Sequence, residues 1–278
     1  MFPSYPNYFW KEIEIGINQT LEDIYDYGMN IEIIKSDHDI EKQIDLVQQI
    51  IKSKDYDAVV CAPIDAAPFI HLINQAVKQG IPMYTFNNDS PFSNRLAYVG
   101  ADYFDSGHLA GELLHQFTGS SRRFTLIMDE MHTFQMQQKI KGFKTFMHEN
   151  ENLWSGNPLK INHNHLDMSI ARLKDDIEKA DGIYVACGAL AEVAKGIQHM
   201  ELKKRPTIIG HDISQDINYF LQNNIVTATI CQDPVHQGRV AARTVFNHLM
   251  LEEDIELVEN IVKLEIVAKG NAKYYVNN

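Results

Sequence analysis

Short β-rich runs alternate with longer amphipathic runs along almost the whole chain, and this alternation dictates βα units wound around parallel sheets. The β-rich runs fall at residues 31–35, 58–62, 83–86, 124–128, 182–186, 207–210 and 226–230. Between them apolar residues recur at helical spacing, as in Ile44, Val47, Ile50 and Ile51, and again in Phe69, Leu72, Ile73, Ala76 and Val77. Local punctuation agrees. Pro68 near a first helical turn, Asp105-Ser106 and Asp233-Pro234 read as helix starts, while Gly80 and Gly119 read as stops. Three units precede residue 101, and four more run from residue 105 to residue 230, ahead of a helix over 233–251. Two α/β lobes are therefore expected, joined by several chain crossings because no Gly/Ser linker separates them. A helix over residues 9–24 has only Met1 and Phe2 ahead of Pro3, where a parallel fold needs a first, central strand. The expectation is that this strand is missing and that the natural chain continues upstream.

Composition narrows the class. The chain has 278 residues, of which 45% are hydrophobic, enough for two real cores. Against 37 acidic residues stand 25 lysines and arginines, a net charge of −12, so this stretch by itself repels nucleic acid. Its longest apolar runs fall far short of the roughly 18 residues that a membrane span needs, and no membrane partner is expected. The opening Met1-Phe2-Pro3-Ser4-Tyr5-Pro6 lacks the basic and apolar regions of a secretory signal. Cys61, Cys187 and Cys231 are odd in number and widely spaced, which fits a reducing, cytoplasmic compartment rather than a disulfide framework or a structural zinc site.

The chain contains no phosphate-binding glycine loop, dinucleotide fingerprint, serine-hydrolase elbow, zinc-protease motif or calcium loop. No cofactor or metal is expected. His163-Asn164-His165 is the tightest histidine cluster, but without a third ligand it reads as structural or surface histidine. Cys187 with His211 as base is a conceivable nucleophilic pair, although a lone thiol at a strand end reads better as a small buried filler. No set of nucleophile, base and orienter is visible, so catalysis is not expected.

In doubly wound sheets, ligands bind beyond the carboxyl ends of the strands. The residues found there are Pro63-Ile64-Asp65, Asn87-Asn88-Asp89, Asp129-Glu130, Cys187-Gly188, His211-Asp212 and Gln232-Asp233, with Asn7, Phe9 and Trp10 at the head of the first helix. Amides and carboxylates make paired hydrogen bonds to adjacent hydroxyls, and an aromatic face packs on the C–H face of a sugar ring. The set lacks the Lys/Arg cluster that a phosphate requires. Each Asp or Asn alone is equally explained as a helix cap or strand terminator, and Phe9 and Trp10 as core. Together they point to a polyhydroxylated small molecule.

The same residues carry a family likeness. Pro6-Asn7-Tyr8-Phe9-Trp10 with Gly16, Ala62-Pro63-Ile64-Asp65, Gly80-Ile81-Pro82, Tyr98-Val99-Gly100-Ala101-Asp102, Ser106-Gly107, Ile209-Gly210-His211-Asp212, and Gln232-Asp233-Pro234 with Gly238 resemble the type I periplasmic-binding-protein superfamily in order and spacing. That superfamily includes sugar-binding proteins and the effector domains of LacI/GalR transcription regulators. The resemblance implies two Rossmann-like lobes joined by three crossovers, near residues 101–103, 230–233 and 258–263. It implies an N-terminal lobe of residues 1–102 with 233–260 and a C-terminal lobe of 103–232 with 261–278. It further implies a sugar held in a cleft with hinge closure on binding. On this likeness Asn7 hydrogen-bonds the sugar, Phe9 and Trp10 stack on it, and Asp65 adds a strand-end carboxylate. Asn87 and Asn88 stand where ribose-binding members have an Asp-Arg pair, Gln137 where they have an arginine and Cys187 where they have an asparagine; Asp212 and Gln232 keep the family residues.

The tail from Val258 to Tyr275, with Asp105-Ser106-Gly107 and Gln237-Gly238, is similar to a subgroup of LacI-type regulators. That branch implies a homodimer that reads operator DNA through an upstream helix-turn-helix and responds to a carbohydrate effector. The alternative is the solute-binding component of a sugar transporter.

Overall fold

The computed structural model describes residues 1–37, 39–118, 123–130, 133–150, 153–154, 157–162 and 165–276. Gly119 and the His163-Asn164 part of the histidine cluster lie outside the described residues. The chain divides into one unit of Met1–Ala101 with Gln232–Lys263 and a second of Asp102–Cys231 with Leu264–Asn278. Its path changes unit three times.

In chain order the first stretch runs β1 (Phe2–Pro3), α1 (Asn7–Asp23), β2 (Lys35–Ser36), α2 (Ile40–Ser53), β3 (Val59–Cys61), α3 (Ala66–Lys78), β4 (Met83–Phe86) and β5 (Tyr98–Ala101). The next runs α4 (Tyr103–Thr118), β6 (Arg123–Asp129), α5 (Phe134–Glu149), β7 (Leu153–Trp154), β8 (Leu159–Ile161), α6 (Leu166–Arg172), α7 (Lys174–Lys179), β9 (Gly182–Val185), α8 (Leu190–His199), β10 (Thr207–His211), α9 (Gln215–Gln222) and β11 (Ala228–Cys231). The chain closes with α10 (Pro234–Met250), β12 (Glu259–Val262) and β13 (Glu265–Ala268). The α/β class with parallel sheets in two lobes, expected from the alternation of runs, is what the chain builds.

In the first unit the sheet order is β12-β5-β4-β3, all parallel, and β1 pairs in parallel with β2. Backbone bonds at Met1 join that pair to β3: its amino group donates to the Val60 carbonyl at 2.6 Å, and its carbonyl accepts from Ala62 N–H at 3.0 Å. A first strand is thus present, and the expectation that it is missing is corrected. Its two residues pair with only Lys35–Ser36, so of the β-rich run at 31–35 the ladder keeps one residue. Ile31, Ile33 and Ile34 still pack inward beside it.

Alternation across this sheet makes two cores. Val59, Cys61 and Met83 pack with Val47, Ile51, Phe69 and Ile73 of α2 and α3. On the other cluster, Ala62, Phe86 and Val99 pack with Phe9, Trp10, Ile13 and Ile17 of α1 and Ala241 of α10. Caps fix the helix starts: Asp39 opens α2, Asp65 opens α3, and Asp233 with Pro234 opens α10. Asp105-Ser106 does not precede its helix. Tyr103 begins α4, and the Asp102 carboxylate accepts from Asp105 N–H at 3.0 Å.

In the second unit the path is β13-β11-β10-β9-β6-β7, with β8 also on β6 and β13 antiparallel to β11. Its helices α4 and α5 cross at a glycine pair. A Cβ at Gly107 would lie 1.9 Å from the Lys139 carbonyl oxygen, and one at Gly142 would lie 1.9 Å from that of Phe104. The same arrangement recurs in the first unit, where a Cβ at Gly16 would lie 2.0 Å from the Val235 carbonyl oxygen and one at Gly238 would lie 2.2 Å from that of Ile13. At both crossings the obstacle is backbone, which has little room to give. Gly142→Ala is therefore expected to force α4 and α5 apart and destabilise the second unit by about 1–3 kcal/mol, read as an earlier urea transition by circular dichroism. An unchanged midpoint would show that the crossing is looser than described.

Candidate functional site

Strand ends in the first unit turn outward through residues with special roles. Behind β3, Gln43 is fully buried and clamps the turn: its amide donates to the Ala62 carbonyl at 3.0 Å and its Oε1 accepts from Ile64 N–H at 2.9 Å. Asp65, next in line, accepts from Ala67 N–H and caps α3.

Behind β4, Asn87 is buried in the left-handed region at φ 57°. Its N–H donates to the Val99 carbonyl at 2.8 Å, and its carbonyl accepts from the Tyr98 hydroxyl at 2.9 Å. Its side-chain amide is 3.4 Å from both Gln232 Oε1 and Gln237 Oε1, while Gln237 Nε2 donates to the Gln232 carbonyl at 2.7 Å. These contacts bring Asn87 and Gln232 together, as the strand-end reading expects. The neighbouring Asn88 has a buried Oδ1 without a hydrogen-bond partner, an uncompensated acceptor of the kind that a ligand donor satisfies.

Asp89 has a different task. It holds Arg95 through contacts of 2.5 and 2.7 Å and accepts from the Thr85 hydroxyl at 2.5 Å, with both charged side chains buried. This pair pins the loop that leads from β4 to β5 without a helix.

At the head of α1, Asn7 is exposed, whereas Phe9 and Trp10 are each 4% exposed. Trp10 stacks on Phe2 with ring centres 5.0 Å apart, meets Phe86 edge-on, and donates from its indole N–H to the Tyr5 carbonyl at 3.0 Å. The structure thus places both aromatics within the core cluster.

The second unit gathers its polar residues behind β9 and β10. Asp212 follows β10 in the left-handed region at φ 62°; its N–H donates to the Ile230 carbonyl and its own carbonyl accepts from the Thr229 hydroxyl at 2.6 Å. Asn87 and Asp212 thus share a sparsely populated backbone conformation, each just past a strand and each donating its N–H to the carbonyl of the neighbouring strand. Cys187 follows β9 and is buried, its thiol pushed up to about 12 by desolvation. His211 approaches Tyr184 through Nε2 at 2.6 Å, and burial holds its imidazole well below its ordinary pKa. Desolvation keeps the Cys187 thiol protonated and the His211 ring is engaged with Tyr184, so neither shows the features of an activated nucleophile and its base.

The residue that sequence reasoning missed is Lys139. Gln137, expected on α5, is exposed, while Lys139 two residues on is 4% exposed. Its Nζ donates to the Ala186 carbonyl at 3.1 Å and lies 5.4 Å from the centre of the Tyr103 ring. Burial lowers its pKa to about 8, against the attraction of Asp212 and Cys187. The second unit therefore holds an ammonium and a carboxylate in electrostatic contact behind β9 and β10, a charged donor and a charged acceptor. A signal was available: Met136, Lys139, Phe143, Phe146 and Met147 share one helical face, so this lysine lies on an apolar stripe.

Among the described residues no cluster of His, Cys, Asp and Glu is arranged to hold a metal ion, and no helix is long and apolar enough to cross a membrane.

Comparison with known proteins follows the same lines. A family model described as a periplasmic binding protein domain matches residues 1–253. A glucose-galactose binding protein, GanP, from Geobacillus stearothermophilus is similar in structure at 20% identity, with a TM-score of 0.85 over 97% of each chain. A putative LacI transcriptional regulator from Bacteroides fragilis is similar at 18% identity and a TM-score of 0.87, over 96% of this chain and 94% of that one. An ABC transporter solute-binding protein from Burkholderia graminis, in complex with D-arabinose, is similar at 16% identity and a TM-score of 0.86, over 99% and 96%. No match was found among curated protein sequences.

Two outcomes check these placements. Trp10→Ala should destabilise the protein without any ligand, by about 3–5 kcal/mol for a buried aromatic, and a variant as stable as the parent would take Trp10 out of the core. For Lys139, the folded-state pKa of about 8 lies below the ordinary 10.5. Between those values the unfolded chain holds a proton that the folded chain has released, so this group's contribution to stability rises with pH across that window. Lys139→Met should remove that rise, seen as a wild-type advantage that grows between pH 8 and 10.5 in urea titrations; a constant difference would contradict the burial.

Proposed function

Because the chain belongs to the periplasmic binding protein domain family, we propose that it is the effector-sensing domain of a LacI-type transcription regulator, with a sugar or sugar-like polyol as its effector. The observation that carries the ligand class is the chemistry behind the strands. Asn88 offers a buried acceptor without a partner, Asn87 and Gln232 form an amide group, and Lys139 and Asp212 supply one charged donor and one charged acceptor. Hydroxyls both donate and accept, so a polyol suits the donors and acceptors that each unit holds behind its strands. Glucose-galactose and D-arabinose in the descriptions of similar proteins support the same class.

Three observations support the regulator role. Cys61, Cys187 and Cys231 are all buried thiols, as suits a reducing cytoplasm. Leu257, Val258 and Ile261 leave apolar side chains uncovered at and just before β12, where a second copy of the chain would cover them. A net charge of −12 keeps this stretch off DNA, which assigns operator reading to a separate basic segment. The effector acts by population shift: a ligand that binds one conformation of the dimer better changes how that dimer presents its DNA-reading segments. Transporter binding proteins among the similar structures favour a second reading, in which the same ligand chemistry serves delivery to a permease.

Thermal denaturation against a panel of pentoses and hexoses tests the ligand class. At about a hundred times its Kd a cognate sugar stabilises by about 2.7 kcal/mol, and Asp212→Ala should abolish that shift. A panel without any shift, or a shift that survives in Asp212→Ala, would contradict the assignment. Light scattering separates the two roles: a dimer supports the regulator, and a monomer the transporter component.

A further inference from the structure

We propose that the first unit carries a second binding site, for the phosphate group of a small metabolite, in a cavity of about 500 Å³ walled by α10. It is independent of the sugar reading, because its residues are not among those behind the strands. His236, Arg239, Arg243 and Asn247 lie along one face of α10 at intervals of three and four residues, so their side chains share the cavity wall. Asn260 of β12 and Asp23 of α1 complete the rim. The buried hydroxyl of Thr20 is committed to the Gly16 and Arg239 carbonyls and closes the floor without contributing a donor. The close crossing of α1 and α10 at Gly16 and Gly238 brings these walls together.

The two arginines give the cavity its chemistry. Both are exposed, and among the described residues neither forms an ion pair. In a chain with 37 acidic residues and 25 basic ones, two neighbouring guanidiniums without a carboxylate partner are notable. One turn apart on a helix, like charges repel, and an anion held by both reverses that repulsion. Arg243 is positioned in advance: its guanidinium lies 5.5 Å from the ring centre of Phe246, which is itself buried and met edge-on by Tyr27 at 5.0 Å. Asp23 is the acidic member of the lining, against two arginines and His236.

Charge and shape select the ligand. The field of a chain at −12 repels anions at long range, so binding depends on short, directed hydrogen bonds. Two planar forks suit a group with several acceptor oxygens and more than one negative charge, which is a phosphate rather than a single carboxylate. The volume falls in the range of small-molecule pockets and leaves room for an organic portion beside the phosphate.

Thermal denaturation of the chain in glucose 6-phosphate and in inorganic phosphate, each at matched ionic strength in chloride, provides the test. The expected result is a stabilisation of about 2–4 °C near saturation. Because both arginines are exposed, the double variant Arg239→Gln/Arg243→Gln should fold with an unchanged circular dichroism spectrum, yet lose the shift measured against its own unliganded Tm. Asp212→Ala, which removes a strand-end residue of the proposed sugar site, should keep it. An equal shift in inorganic phosphate assigns the site to the free ion, and a larger one in the ester assigns it to a phosphorylated metabolite; either keeps the site. No shift in the parent, a shift retained by the double arginine variant, or one lost in Asp212→Ala would overturn it.

Discussion

Two helix crossings that admit only glycine govern where the polar side chains of the crossing helices stand. At α1 with α10, Gly16 faces the Val235 carbonyl and Gly238 faces that of Ile13; at α4 with α5, Gly107 faces Lys139 and Gly142 faces Phe104. In each pair the glycine of one helix meets the backbone of the other, so the two axes approach more closely than any Cβ would allow. The consequence for α5 is direct. The peptide that Gly107 touches belongs to Lys139, so the contact that closes the crossing also fixes the lysine whose ammonium reaches the Ala186 carbonyl. On α10 the equivalent contact sets the helix face that carries Arg239 and Arg243.

Buried charge separates scaffold from site. Asp89 and Arg95 form a closed pair with short contacts and further acceptors for the guanidinium, including the Val258 carbonyl, and they serve the loop between β4 and β5. Lys139 is buried with the Ala186 carbonyl as hydrogen-bond acceptor, an aromatic face beside it and the attraction of Asp212. A cation held this incompletely costs stability, and the fold bears that cost at the strand ends, where ligands bind in doubly wound sheets. Asn88, with its unpartnered Oδ1, shows the same incompleteness in the first unit.

Much of this was legible in the sequence, for identifiable reasons. Periodicity placed β4 at residues 83–86 without error and β2, β3, β6, β9, β10 and β11 within a few residues, because each has a helix before it to mark the change of period. β5 escaped because it follows β4 without a helix, through a loop held by an ion pair that no periodicity records. β1 escaped because two residues carry no period. At the strand ends, residue types located Asn87, Gln232, Cys187 and Asp212 on the right turns, since turn and cap chemistry is local. Gln137 comes from the family likeness and lies exposed on α5, whereas the buried lysine two residues on is legible only from the apolar helix face. Trp10 was ambiguous by nature, since stacking on Phe2 and stacking on a sugar ask for the same side chain.

The central claim is the proposal that strand-end residues bind a polyol, and hydrogen–deuterium exchange with a saturating sugar tests it most directly. The account predicts slowed exchange in peptides covering residues 62–66 and 86–90 of the first unit and 186–190 and 211–214 of the second, with α6 and α7 unchanged. Protection confined to other segments, or none at a concentration that stabilises the protein, would contradict it.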